Sequence, residues 1–352
     1  MTLDSLSSVQ RAHGAVLAND GIPLHFGDMA AEYHAALNAV VLMDRSHEGR
    51  IRLDGRDRLA IPHRTSTNDC ESLTLGAGCA TIFTNPNARI LDRALLYHRG
   101  ETALMLTEPG RGIALMGYVQ RNIFFNDDLR LHDLSSETRA FALHGPQADA
   151  LMATFDAAVA ALPALHSAEI DIAGARVTAC RIKPISSAAW VLIVPNDAAA
   201  AVWEALRTAA QPLGGRAAGS LVYNALRIWS GRPGVGRELS SEYIPLEVGL
   251  WDEVSFKKGC YTGQEIIARM ESRGKLARTI TRVALSAPVD APAELSADGK
   301  QAGTLTSAVV TPNGDALGIA VLRMAYAEPG VVLKAGGADV HVVDFAAAQP
   351  PR

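Results

Sequence analysis

The sequence holds only four cysteines in 352 residues: Cys70, Cys79, Cys180 and Cys260. None stands in a Cys-x-x-Cys pair, and no His/Cys spacing matches a zinc module, so a disulfide-stapled secreted domain and a resident metal site are not expected. A reducing compartment follows, with most of the thiols serving as small core residues. Long apolar runs are missing too. The longest, Trp190 to Pro195, suits a buried strand and is too short to span a bilayer. The first residues lack the charged-then-apolar order of a signal peptide, so a cytoplasmic protein with no membrane partner is expected. Basic charge is not in excess. The net charge of -4 argues against direct nucleic acid binding. No repeat of fixed period is visible.

What is present is a globular balance, 48% hydrophobic and 20% charged, in a chain too long for one ordinary core. Two or three lobes are expected. Residues 28–40 carry Met29, Tyr33, Ala36 and Val40 at helical spacing. Val41 to Met43 and Arg50 to Leu53 read as strand, with a turn at Asp54-Gly55. Leu59 to Thr67 reads as a short helix. Cys79 to Phe83 and Ile90 to Tyr97 read as a hairpin broken at Asn85-Pro86-Asn87, followed by a strand at Ala103 to Thr107 and a helix at Gly112 to Arg121. Ala140 to Leu143, Arg176 to Ile182 and Trp190 to Val194 read as strands. Ala148 to Val159, Ala198 to Ala210 and Ser220 to Trp229 read as helices, the last with Leu221, Ala225 and Ile228 on one face. Such alternation predicts an α+β fold with antiparallel sheet. After about Leu276 short β-like runs (Thr279 to Leu285, Gly303 to Val310, Ala316 to Val321) predict a small C-terminal barrel or sandwich. The end, Ala346 to Arg352, is expected to fray.

One segment carries chemistry: Lys257-Lys258-Gly259-Cys260-Tyr261-Thr262-Gly263-Gln264-Glu265. Two glycines flank a cysteine, two lysines precede it, and a helix begins near Gln264. A cysteine ahead of a helix N-terminus and beside lysines is pushed toward thiolate, the nucleophilic form. The same residues also suit a structural turn with Cys260 packed inward. Residue chemistry alone leaves both readings open. Nothing among the ten histidines singles out a partner for a cysteine hydrolase.

The run Lys258 to Glu265 resembles the Lys-Gly-Cys-Tyr-x-Gly-Gln-Glu hallmark of the YgfZ family. Leu226 to Pro233, Gly236, Glu238 and Ile244-Pro245-Leu246-Glu247 resemble the stretch that precedes it. The likeness extends to the glycine cleavage T-protein superfamily through Met43 to His47, Thr67-Asn68-Asp69, Leu143 to Ala148 and Gly303 to Ser307. It covers nearly the whole chain, in order. It implies a three-lobed T-protein-like α+β fold with a central channel and a C-terminal β-barrel. The folate-binding region would span 1–275 and the barrel 276–352. The cofactor implied is tetrahydrofolate or another reduced folate.

T-proteins use a Gly-Gly-x-x-Asp-Asp stretch near the reactive folate nitrogens. Here Ala88 to Arg93 matches it, with Asp92 kept and Arg93 at the second acidic place. The T-protein Gly-Tyr-Thr-Gly-Glu stretch matches Arg181 to Ser186, where no Glu stands. A pterin pairs with a carboxylate, so Glu247 or Glu265 would have to serve. Asn68, Arg227, Lys258, Tyr261 and Gln264 complete the expected folate contacts, and Cys260 is the expected reactive thiol. The function implied is a folate-binding accessory factor for assembly or repair of iron–sulfur proteins, with an indirect effect on tRNA modification. Its partners would be iron–sulfur client or assembly proteins. The alternative is a folate-dependent aminomethyltransferase or related one-carbon transferase.

Overall fold

The computed structural model describes residues 3–185, 187–274 and 276–345, with side chains from Leu6 onward except that of Arg273. Ser186 and residues 346–352, for which fraying was expected, lie outside the described residues. The chain divides into two compact units. The first comprises 1–62, 70–80 and 94–223, the second 63–69, 81–93 and 224–352.

The first unit is built on a six-stranded sheet in the order Ser167–Ile172, Ala175–Arg181, Ala189–Pro195, Thr138–His144, Val41–Asp44, Arg216–Ala217. All neighbours are antiparallel except the last pair. Side chains alternate across a strand, and both faces are buried. Phe141, Leu143, Trp190, Leu192 and Val194 point to one core, where Trp203 and Leu206 of the helix Ala199–Ala210 cover them. Ala140, Ala142, Ala189, Val191 and Ile193 point to the other, against Leu104, Leu106 and Tyr97. A second sheet has the order Gly78–Thr84, Ile90–His98, Thr102–Pro109, Glu48–Asp54, Arg130–Asp133. Residues 81–93, the outer part of its first hairpin, belong to the second unit.

Local chemistry sets the helix starts. The Asp28 carboxylate accepts from Ala31 N at 2.9 Å and begins Met29–Asn38. The single helix expected over Ala148 to Val159 is two, Ala148–Ala153 and Ala157–Ala160. Asp156 caps the second by accepting from Ala158 N and Val159 N, and so ends the first. In Ser220–Trp229 the inward face is Val222, Ala225, Leu226 and Ile228, whereas Leu221, expected inside, is 45% exposed. The strand Arg130–Asp133 is short and polar and escaped sequence reading, as did Ser167–Ile172, although Ala168, Ile170 and Ile172 alternate there with Glu169 and Asp171.

The C-terminal part of the second unit is a closed six-stranded antiparallel barrel. Its order is Arg278–Leu285, Ala316–Arg323, Lys300–Val310, Ala293–Ala297, Val332–Ala335, Ala338–Phe345, closing back on the first strand. Closure leaves no edge strand to template aggregation. Leu295, Leu305, Leu322, Leu333 and Val340 fill it. Among the described residues no helix is long and apolar enough to cross a membrane.

Candidate functional site

Within the second unit, the end of the helix Ala60–Thr65 with the loop that follows it to Asp69, the hairpin 81–93 and the run 243–263 pack into one assembly. The hairpin is fixed first. Asn85 Oδ1 accepts from Asn87 N at 2.9 Å and Arg89 N at 3.0 Å. The loop lies along it: Thr67 N donates to Ile82 O at 2.9 Å, and Asn68 N to Thr81 Oγ1 at 2.9 Å. The later run then crosses the loop. Ser255 N donates to Thr67 O at 2.9 Å, and Thr67 Oγ1 to Glu253 O at 2.7 Å.

The Lys258 ammonium turns into the loop. It donates to the carbonyls of His63, Ser66 (2.6 Å) and Asn68 (3.2 Å) and lies 5.0 Å from the centroid of the Tyr261 ring. Tyr261 is 8% exposed, and burial pushes its phenol up to about 12. Gly263 has a φ of 85°, the left-handed region, and a Cβ there would stand 2.8 Å from both Ala88 Cα and Asn85 O. That glycine is required by the fit of the run onto the hairpin. Thr84 Oγ1, donating to Thr262 O at 2.5 Å, fixes the same approach. Gly259 is different, since a Cβ there would meet nothing within 4 Å. Gly263→Ala should therefore lower stability by about 1–3 kcal/mol, read as a lower urea midpoint. An unchanged midpoint would show that the close approach does not constrain the motif.

Between these anchors, Cys260 is exposed while Cys70, Cys79 and Cys180 are buried. The helix Gln264–Arg273 begins at Gly263 without a side-chain cap, with half-buried Gln264 and exposed Glu265 in its first turn. The inward-packed reading of Cys260 is thus corrected: Tyr261 supplies the packing and the thiol faces solvent.

The remaining expected contacts separate into groups. Asn68 stays beside Lys258, its carbonyl accepting from Lys258 Nζ at 3.2 Å and its Nδ2 donating to Asp252 O at 3.5 Å. Asp92 is 5% exposed on its strand, accepting from Arg93 N at 3.2 Å. Glu247 is committed elsewhere: Arg278 donates to it at 3.0 and 3.1 Å, and Ile244 N at 3.2 Å. Its carboxylate closes a buried turn. Arg227 likewise makes internal contacts, with Asn224 (2.9 Å), Ser307 (3.1 Å) and Glu238 (3.5 Å). The fully buried Glu238 also accepts from Ser307 Oγ and Gly234 N at 2.8 Å each, and from Thr306 Oγ1. The Gly-x-x-Thr-Ser strand of the barrel is therefore the anchor of a polar network that includes Arg227.

Sequence reading missed Glu253. Arg93, at the second acidic place, donates Nε to Glu253 Oε2 and Nη2 to Glu253 Oε1, both at 2.7 Å, with side chains 5% and 3% exposed. A forked guanidinium meeting a carboxylate is the geometry arginine favours. The replacement of an acid by Arg93 is matched by a buried acid opposite. No local pattern could have exposed that pairing.

An α+β chain with this hairpin and a closing barrel has the glycine cleavage T-like fold. The aminomethyltransferase T of the glycine cleavage system from Bartonella henselae superposes with a TM-score of 0.84 over 97% of this chain and 96% of that one, at 19% identity. Residues 8–258 match the GCVT N-terminal domain, and residues 278–349 match the CAF17 C-terminal beta-barrel domain. The chain belongs to the GcvT superfamily, in its CAF17/YgfZ-like branch. It is 32% identical to a chloroplastic candidate transferase of Arabidopsis thaliana, over 95% of this chain and 76% of that protein. It is 25% identical to the aminomethyltransferase of Bacillus subtilis (strain 168), over 89% of this chain and 87% of that one. Residues Gly259 to Glu265 lie between the two matched domains.

Proposed function

We propose that this chain is a tetrahydrofolate-binding accessory protein that serves assembly or repair of iron–sulfur proteins in the cytoplasm, and through them tRNA modification. Residues 1–275 form its folate-binding region and 276–352 its barrel domain. The observation that carries the reading is the exposed Cys260, held between a lysine clamped on three carbonyls and a glycine locked on a hairpin. An ordered, solvent-facing thiol is suited to meeting a partner's sulfur or iron. A single thiol is too few ligands to carry a cluster, and among the described residues no three His, Cys, Asp or Glu side chains gather into a metal-holding group. The cluster is therefore the client's.

The residues present fit a reduced folate by their chemistry. A carboxylate of the kind Asp92 carries accepts from a pterin's N–H groups, and an amide of the kind Asn68 carries both donates and accepts, although both side chains also hold protein partners in this structure. Tyr261 and Gln264 border the thiol, and Glu265 supplies a second carboxylate. One-carbon transfer is the weaker reading, because the second acidic place is an arginine neutralised by Glu253. Titration calorimetry with tetrahydrofolate should show binding to wild type and to Cys260→Ala alike. Neither should release methylene-tetrahydrofolate from candidate amines. Cells carrying Cys260→Ala should lose activity of iron–sulfur enzymes at normal levels of the variant. Full activity in those cells would defeat the accessory role. Robust amine turnover would instead favour the transferase.

A further inference from the structure

Cys70 and Cys79 are not isolated thiols. Their sulfurs lie 3.6 Å apart, in contact, and both residues are buried, Cys70 at 0% and Cys79 at 8% exposure. The backbone explains the meeting. Thr67 N donates to Ile82 O, Ile82 N donates to Thr67 Oγ1, and Asn68 N donates to Thr81 Oγ1. Cys70 and Cys79 are the two ends of the next stretch of chain, which turns back so that the thiols at its ends meet. The intervening segment is open: Glu71, Ser72, Thr74 and Leu75 are exposed. A short exposed loop opens at little cost and admits a small reagent.

We propose that Cys70 and Cys79 form a modification site, a dithiol that a hydroperoxide converts to a disulfide. Cys79, the less buried sulfur, attacks the peroxide. The O–O bond breaks, the sulfur becomes a sulfenic acid, and an alcohol or water leaves with the thiol's proton. Cys70 sulfur then displaces hydroxide from that sulfenic acid, forming the S–S bond, and its proton completes a water molecule. Two thiols and one hydroperoxide thus give a disulfide, an alcohol and water. The sulfurs lose the electron pair that the O–O bond gains. Closing the pair ties the two ends of the segment 70–79 together. Cys180 takes no part, because burial pushes its thiol up to about 12 and keeps it protonated.

The test uses full-length Cys260→Ala, which retains Cys70, Cys79 and Cys180. After treatment with tert-butyl hydroperoxide and denaturation, the titratable thiols should fall from three to one. Peptide mapping should find Cys70 joined to Cys79, and dithiothreitol should restore all three thiols. Cys79→Ser in the same background should give no joined peptide. Three thiols surviving treatment, separate sulfinic acids at Cys70 and Cys79, or a bridge to Cys180 would each overturn the proposal. Because Cys260 is absent from the test protein, none of these outcomes depends on the role proposed for that thiol.

Discussion

Glu253→Gln should destabilise the protein by about 3–5 kcal/mol, as expected when one partner of a buried ion pair is removed. The glutamine keeps the shape and loses the charge. Arg93, 5% exposed, would then keep its charge in the interior without the carboxylate that meets it on two nitrogens. Arg93→Met should cost a similar amount, since it strands the carboxylate instead. The double variant Arg93→Met/Glu253→Leu should recover much of the loss, because two apolar side chains of similar volume replace a pair whose desolvation nearly cancels its attraction. Urea unfolding of the four proteins compares the pair with each of its halves and with its apolar replacement. A neutral Glu253→Gln would mean that the pair is effectively solvated and that Arg93 stands ready for another partner. The pair also bears on catalysis. Restoring an acid through Arg93→Asp would set two carboxylates against each other in a buried space, so a T-protein's acidic dyad cannot be regained by one substitution here.

Local chemistry was legible and distant chemistry was not. Asn85-Pro86-Asn87 announced its hairpin because the turn is made by its own side chains. The barrel was announced by short β-like runs broken by turn residues such as Pro312-Asn313-Gly314. Gly263 could be read as a turn glycine, although the reason for it, the close approach of Ala88 and Asn85, could not. Glu247, Arg227 and Lys258 were all expected to touch folate. Each has the right charge, and charge is what a sequence displays. What it does not display is that Arg278, Glu238 and the carbonyls of Ser66 and Asn68 also hold them. Arg93 and Glu253 are separated by 160 positions, and Lys258 and Ser66 by 192, so only the fold reveals the pairings. The break at Asp156 was missed for the opposite reason. A run of alanines favours helix on average, yet one capping carboxylate outweighed it.

Lys258→Met should cost about 2–4 kcal/mol and loosen the motif around the thiol. Methionine is close to lysine in length and keeps the apolar stem packed. It cannot donate to the His63, Ser66 and Asn68 carbonyls. Each of those oxygens made a charge-assisted hydrogen bond, and each loses it together. Lys258 is half-buried, so water replaces part of what is lost, which holds the cost below the sum for three fully sealed acceptors. The cation facing the Tyr261 ring is lost as well. Lys258→Arg should rescue only in part, because a planar fork does not converge on three acceptors as a tetrahedral ammonium does. Two measurements separate a structural clamp from a ligand contact. A clamp predicts a lower urea midpoint and a changed rate of Cys260 alkylation, with both effects present before any folate is added. A ligand contact predicts an unchanged midpoint, an unchanged alkylation rate and a weaker tetrahydrofolate titration. The donation of one ammonium to three backbone oxygens favours the first outcome. On that outcome the lysine of the motif acts on the cysteine through the backbone it holds, and its charge is spent before it reaches the thiol.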